Sequence, residues 1–168
     1  LRCCFCQNFQ ISQEGLGKEL SSAQLAKIFL SLQAQGAHNI NLVTATQFLP
    51  HILEALVLAR PSLTIPVVYN SSGYERKETI NALDGLVDIY LPDLKYWDPI
   101  LSQRYSHASD YFQTASKAIL QMIRQTKGPV FDPKSGLLTA GTIIRHMVLP
   151  GAKEDSIKLL RWIKENLP

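Results

Sequence analysis

Short apolar runs and amphipathic helical stretches alternate along nearly the whole 168-residue chain, and that alternation restricts the fold more than any other feature. Ser21-Ser22 caps a helical stretch from Ala23 to Gln35, with Leu25, Ile28, Phe29 and Leu32 at helical spacing, and Gly36 closes it. His38 to Val43 reads as a short buried strand. A second helix is expected over 48–60, through Ile52, Leu53, Leu56 and Val57, and Pro61 ends it. The pattern then repeats. Strands are expected over 65–69, 87–91 and 143–148. Helices are expected over 75–83, 109–125 and 153–165, with a helical turn after Asp98. Strands and helices of these lengths in alternation imply right-handed βαβ units, and therefore an α/β fold with a parallel sheet covered by helices.

One domain is the default, because no Pro/Gly/Ser-rich linker interrupts a chain that is 46% hydrophobic. The net charge of +3 comes from 17 basic and 14 acidic residues spread along the sequence, which argues against a nucleic-acid footprint. No run of about 18 apolar residues is present to span a membrane, and no signal peptide is visible. The three cysteines, Cys3, Cys4 and Cys6, crowd one terminus. A disulfide scaffold would spread them to close loops, so a reducing, cytoplasmic location is expected. The opening on Leu1-Arg2, two residues before a reactive motif, suggests an N-terminally truncated piece.

In parallel α/β folds, sites gather just beyond the C-terminal ends of the strands. Polar residues stand at those places: Thr44 and Thr46, Asn70 through Gly73, and Asp93 with Lys95. If the cysteine segment shares that edge, all of them converge on one mouth. Cys3-Cys4-Phe5-Cys6 contains a Cys-x-x-Cys pair, a spacing that suits an iron–sulfur cluster, half a zinc site or a dithiol couple. His38, His51, His107 and His146 are the only imidazoles, and none pairs with another at short ligand spacing.

The wider string Leu1 to Asn8 resembles the radical S-adenosylmethionine (SAM) signature, Cys-x-x-x-Cys-x-aromatic-Cys, from its second cysteine onward. Further resemblances follow in order along the chain. They are the strand Asn39–Thr44, Pro66 to Tyr74 with its Asn-Ser-Ser-Gly turn, Val87 to Tyr96 with its Asp-Leu-Lys segment, and Ile144 to Gly151. The likeness is to the branch related to pyruvate formate-lyase activating enzymes (PflX-like). It departs at Thr44-Ala45-Thr46, where those proteins carry Gly-Gly-Glu.

The resemblance implies a partial (β/α)6 TIM-like barrel over residues 1–168, lacking its first strand, with the bared sheet edge covered by a partner. Cys3 and Cys6 would be the second and third ligands of a [4Fe–4S] cluster, the first lying upstream of Leu1. Phe5 would flank the adenine of SAM, and Thr44, Thr46, Asn70, Ser72, Asp93, Lys95, Arg145 and His146 would line its site. Asp93 would meet the ammonium or ribose, and Lys95 or Arg145 the carboxylate. The implied activity is reductive cleavage of SAM to a 5′-deoxyadenosyl radical. The hydrogen donor would be a protein such as a glycyl-radical enzyme, and the electron donor a flavodoxin or ferredoxin.

Plainer readings stand beside each assignment. Asp93 and Lys95 suit a solvated loop pair, and Asn70 to Gly73 suit a simple turn. Thr44 and Thr46 suit the N-cap of the next helix, and His146 suits a satisfied core histidine. Tyr90, Tyr96 and Trp97 read as packing. For the whole chain the rivals are a radical SAM enzyme acting on a different substrate, a metal-binding or interaction module without SAM chemistry, and an inactive fragment that holds no stable cluster.

Overall fold

The computed structural model describes residues 1–168. Strands β1 (Ile40–Val43), β2 (Val67–Ser71), β3 (Ile89–Pro92), β4 (Val130–Phe131) and β5 (Leu138–Thr142) form one sheet in the order β1-β2-β3-β5-β4. The first three strands and β5 run parallel, whereas β4 pairs antiparallel with β5. The helices are α1 (Phe9–Ser12), α2 (Ser22–Ala34), α3 (Leu49–Ala59), α4 (Lys77–Ala82), α5 (Pro99–Ser106), α6 (Tyr111–Thr126) and α7 (Lys153–Asn166). The expected α/β class and mostly parallel sheet are therefore present. The sheet is open, with β1 and β4 at its edges. No helix is long and apolar enough to cross a membrane.

Local chemistry explains most element boundaries. The Ser21 hydroxyl accepts from the Gln24 N–H at 3.2 Å and the Gln24 side chain accepts from the Ser21 N–H at 2.9 Å, so α2 begins with a reciprocal capping box. Asp98 caps α5 by accepting from the Ile100 N–H at 2.7 Å, with Pro99 in the first turn. That extends the expected helical turn to eight residues. In α3 the buried positions are Ile52, Ala55, Leu56 and Ala59, and Val57 faces outward instead of joining the core stripe.

Central strands show the burial expected of a sheet covered on both faces. Val67, Val68 and Tyr69 are buried in succession in β2, as are Ile89 and Tyr90 in β3, whereas edge strand β1 alternates between buried Ile40 and Leu42 and exposed neighbours. The main core gathers Phe29, Ile40, Leu42, Leu56, Val67, Tyr69, Ile80, Leu83 and Tyr90. A second cluster under the C-terminal half joins Leu94, Tyr96, Tyr111, Ile119 and Leu159. At the opposite end from the site, Arg60 clasps Asp88 with two hydrogen bonds of 2.7 and 3.0 Å, and Asp88 also accepts from the Val67 N–H at 2.8 Å.

The strand expected over 143–148 is displaced. Residues 138–142 form the ladder beside β3, and the following stretch only trails along it. Ile143 N–H donates to Tyr90 O and Arg145 N–H to Pro92 O, each at 2.9 Å, and Asp93 and Arg145 form one isolated bridge. The physical reason lies in the partner: β3 ends at Pro92, which has no N–H to extend the pairing. The apolar residues Ile143, Met147 and Val148 are left exposed beyond the sheet.

Candidate active site at the strand ends

The turns after β1, β2 and β3, the stretch after β5 and the N-terminal cysteine turn surround one cavity of about 660 Å³. Every site residue expected from the sequence lines it: Cys3, Phe5, Cys6, Thr44, Thr46, Asn70, Ser72, Asp93, Lys95, Arg145 and His146. The volume lies within the range of about 300–1,000 Å³ typical of small-molecule sites. Parallel strands aim their C-terminal ends the same way, so turns far apart in sequence become neighbours.

Helix α5 holds the cysteine turn in place. The Cys6 N–H donates to Cys3 O at 3.1 Å, closing the turn, and the Cys4 N–H donates to Tyr105 O at 2.9 Å. Ser106, fully buried, donates its hydroxyl to the Cys3 sulfur at 2.9 Å. The Tyr96 hydroxyl lies 2.7 Å from the same serine, and burial pushes its pKa up to about 12, so it stays protonated and completes the relay to Cys3. Cys6 Sγ lies 3.6 Å from the Ser12 hydroxyl, whereas Cys4 is exposed and does not line the cavity. Two thiols on one turn suit iron or zinc. They remain two, and the chain brings together no group of three or more His, Cys, Asp or Glu able to hold a metal ion. The set is therefore half of what a tetrahedral metal takes, and short of the three cysteines that leave one iron of a cluster open.

On the opposite side, Asp93 is the centre of an ion-pair trio. It pairs with Lys95 Nζ and, at 2.8 Å, with Arg145 NH2, which also donates to the Asn70 side chain at 2.7 Å. This corrects the solvated-pair reading: Asp93 and Lys95 are mostly shielded, with side-chain exposures of 20% and 14%. His146 is spoken for at both ring nitrogens, 2.7 Å from Leu94 O and 2.9 Å from the Ser156 hydroxyl of α7. Its half-buried imidazole therefore ties α7 to the rim while lining the cavity. Trp97 packs on Phe112, which in turn packs on Trp162, and Tyr90 and Tyr96 are buried in the two clusters, so all three are packing residues.

Neither threonine is a helix cap. The residue preceding α3 is Phe48, without a side-chain cap, after a 3-10 turn over Thr46–Phe48. Thr44 instead adopts φ +55°, a left-handed conformation that a β-branched residue rarely takes. This is the position where the resembling sequences carry glycine. Thr44→Gly is expected to stabilise the fold by about 0.5–1 kcal/mol, the relief of αL strain less the added chain entropy of glycine. Urea denaturation checks it, and a destabilised variant would show that Thr44's contacts outweigh the strain.

Thr46 donates at 2.6 Å to Glu75, the most informative residue that sequence reasoning overlooked. Glu75 sits two residues before α4, only 4% exposed, and lines the cavity. The sequence places it at the start of the helix expected over 75–83, and its neighbours Arg76, Lys77 and Glu78 give no local sign that this carboxylate turns inward. Burial pushes its carboxyl pKa up, and the Thr46, Tyr69 and Ser71 hydroxyls oppose that shift.

Tyr111 was also overlooked. Fully buried in α6, it places its hydroxyl 2.7 Å from Ser72 O and 2.9 Å from Asp93 O and accepts from the Lys95 N–H at 3.1 Å. It joins the turns after β2 and β3 beneath the cavity.

No protein-family model matches the chain. It is 30% identical over 175 residues to the uncharacterized protein MJ0674 of Methanocaldococcus jannaschii, covering 99% of this chain and 47% of that one. Among solved structures it is similar to methylornithine synthase (PylB), with a TM-score of 0.59 and 15% identity over 99% of this chain and 47% of that one. The chain thus spans about half the length of the proteins it matches. At that identity the second likeness establishes a shared α/β fold.

Proposed function

We propose that this chain carries most of the SAM site of a radical SAM enzyme. One observation carries the reading. Residues drawn from five segments between Cys3 and His146, each expected from the resemblance to serve cluster or SAM, line a single cavity at the strand ends. The fold likeness to methylornithine synthase supports a catalytic use of such a scaffold.

In this reading Cys3 and Cys6 would hold two positions of a [4Fe–4S] cluster, which takes a third thiolate besides them. When bound, such a cluster would supply the electron for reductive cleavage of SAM. The protein's own residues bind and orient. Ser106 fixes the Cys3 sulfur, and Phe5 offers a ring beside the cysteine turn. The Asp93–Lys95–Arg145 trio carries a net positive charge toward an anionic group of the ligand, with Asn70 setting the guanidinium's direction. The substrate is a protein of the glycyl-radical type and the electron donor a flavodoxin or ferredoxin. A small-molecule substrate is the alternative that the synthase likeness favours.

The test is anaerobic iron and sulfide reconstitution of the whole polypeptide, followed by an assay for 5′-deoxyadenosine from SAM after dithionite reduction. About four iron and four sulfide per chain are expected, with product formed, and both are expected to be lost in Cys3→Ala and Cys6→Ala. Zinc in place of iron, or a cluster with no 5′-deoxyadenosine, would replace this reading with that of a metal-binding module.

A further inference from the structure

Glu75 is a buried carboxylate held by hydroxyls and paired with no basic side chain. Its Oε1 accepts from Thr46 at 2.6 Å and lies 3.4 Å from the Tyr69 hydroxyl, which itself sits 3.0 Å from Thr46. Oε2 is in no hydrogen bond of 3.5 Å or shorter, and the nearby Ser71 hydroxyl supports the charged carboxylate more weakly. This oxygen is not sealed in the core either, because no fully buried side-chain oxygen or nitrogen of the chain lacks a partner. Oε2 therefore opens onto the cavity that Glu75 lines. No cation of the chain forms a salt bridge with it: Arg60, Lys95 and Arg145 are taken by Asp88 and Asp93.

An anion desolvated without a countercharge is costly to keep, and neutral hydroxyls compensate only part of that cost. The missing element is a cation, and the open oxygen faces the space where a ligand enters. The same cavity presents the net-positive Asp93–Lys95–Arg145 trio. A free carboxylate and a net-positive trio in one cavity match a zwitterion, the charge pattern of an α-amino acid.

We propose that Glu75 anchors the ammonium of the ligand's amino-acid moiety, supplying from the turn after β2 a carboxylate that the Thr44-Ala45-Thr46 turn lacks and that Thr46 holds in place. The assignment rests on the SAM reading above. Thr46 and Tyr69 are positioning residues here: both fix Oε1, leaving Oε2 for the ligand.

The experiment compares two probes by calorimetry on the whole anaerobic polypeptide. S-adenosylhomocysteine carries the amino-acid end, and 5′-methylthioadenosine keeps the adenine and ribose but lacks it. Glu75→Gln is expected to weaken S-adenosylhomocysteine binding by about 10- to 100-fold, the range for loss of one charged partner, and to leave methylthioadenosine unchanged. Glu75→Asp, which keeps the charge but draws it back by one methylene, is expected to weaken the same probe, and unaltered methylthioadenosine binding reports an intact fold in both variants. Unchanged S-adenosylhomocysteine affinity in Glu75→Gln overturns the assignment, as does an equal loss for both probes, which would place Glu75 on the ribose or in the fold. If neither probe binds the unaltered protein, the SAM reading itself fails and takes this one with it.

Discussion

Replacing Gly73 by alanine is expected to destabilise the fold by about 3–5 kcal/mol, lowering the melting temperature by about 6–20 °C for a chain of this size. A Cβ built on Gly73 would lie 2.1 Å from the carbonyl oxygen of Asp93, inside any tolerable contact, and the obstacle is backbone that cannot swing aside. The residue also has φ +76°, a region that costs a side-chain-bearing residue about 1–2 kcal/mol by itself. Gly85 separates the two effects. Its φ is +73°, and nothing lies within 4 Å of its would-be Cβ, so Gly85→Ala carries the strain alone. Thermal denaturation of both variants therefore isolates the close approach of the β2 turn to the β3 turn. If Gly73→Ala melts within about 3 °C of Gly85→Ala, the two turns do not press together as described.

Tyr111→Phe is expected to cost about 2–4 kcal/mol, because one hydroxyl serves three backbone groups that would lose their partner at a buried site. The Ser72 and Asp93 carbonyls would be left facing a ring edge, and the Lys95 N–H would lose its acceptor. Burial holds the Tyr111 hydroxyl far above its ordinary pKa, so it remains a donor at any working pH. Urea denaturation measures the cost, and hydrogen exchange at the Lys95 amide locates it. Tyr74→Phe is the comparison, since Tyr74 meets Asp110 at the surface, 2.6 Å away, where the loss is expected to be below about 1 kcal/mol. Unaltered protection of the Lys95 amide in Tyr111→Phe would remove Tyr111 from its place beneath the cavity.

Both variants act on the same feature, the seam between two strand-end turns that sets the shape of the site. Gly73 permits the approach and Tyr111 fastens it. The ligand-facing residues of those turns, Asn70, Ser72, Asp93 and Lys95, depend on it for their placement. Loss of ligand affinity in either variant would accordingly follow loss of stability, unlike the selective effect expected at Glu75.

Much of this arrangement is written locally. The Ser21 cap marks the start of α2, although of the expected stripe Leu25, Ile28, Phe29 and Leu32 only Phe29 is buried and Ile28 and Leu32 are exposed. Unbroken apolar runs mark β2 and β3 as strands covered on both faces. Once the alternation implies parallel strands, the ends that carry polar turns must share one edge. Thr44, Thr46, Asn70, Ser72, Asp93 and Lys95 could thus be placed at one edge before any coordinates, whereas Cys3, Phe5, Cys6, Arg145 and His146 were added by the family resemblance, and all eleven line the cavity. The displaced last strand marks the limit of such reading, since Ile143 to Val148 has the better strand composition yet Leu138 to Thr142 wins the ladder. Pairing was decided by how far β3 extends, which is a property of the neighbour.

The tertiary structure alone decided who holds whom. Asp93 pairs with a lysine two residues away and an arginine fifty-two residues away, Cys3 leans on a serine 103 residues on, and Glu75 turns inward toward Thr46. Periodicity records which face of an element is buried, because burial is an average over many neighbours. A hydrogen bond between distant residues depends on one particular neighbour, and nothing local in the sequence encodes which residue that will be.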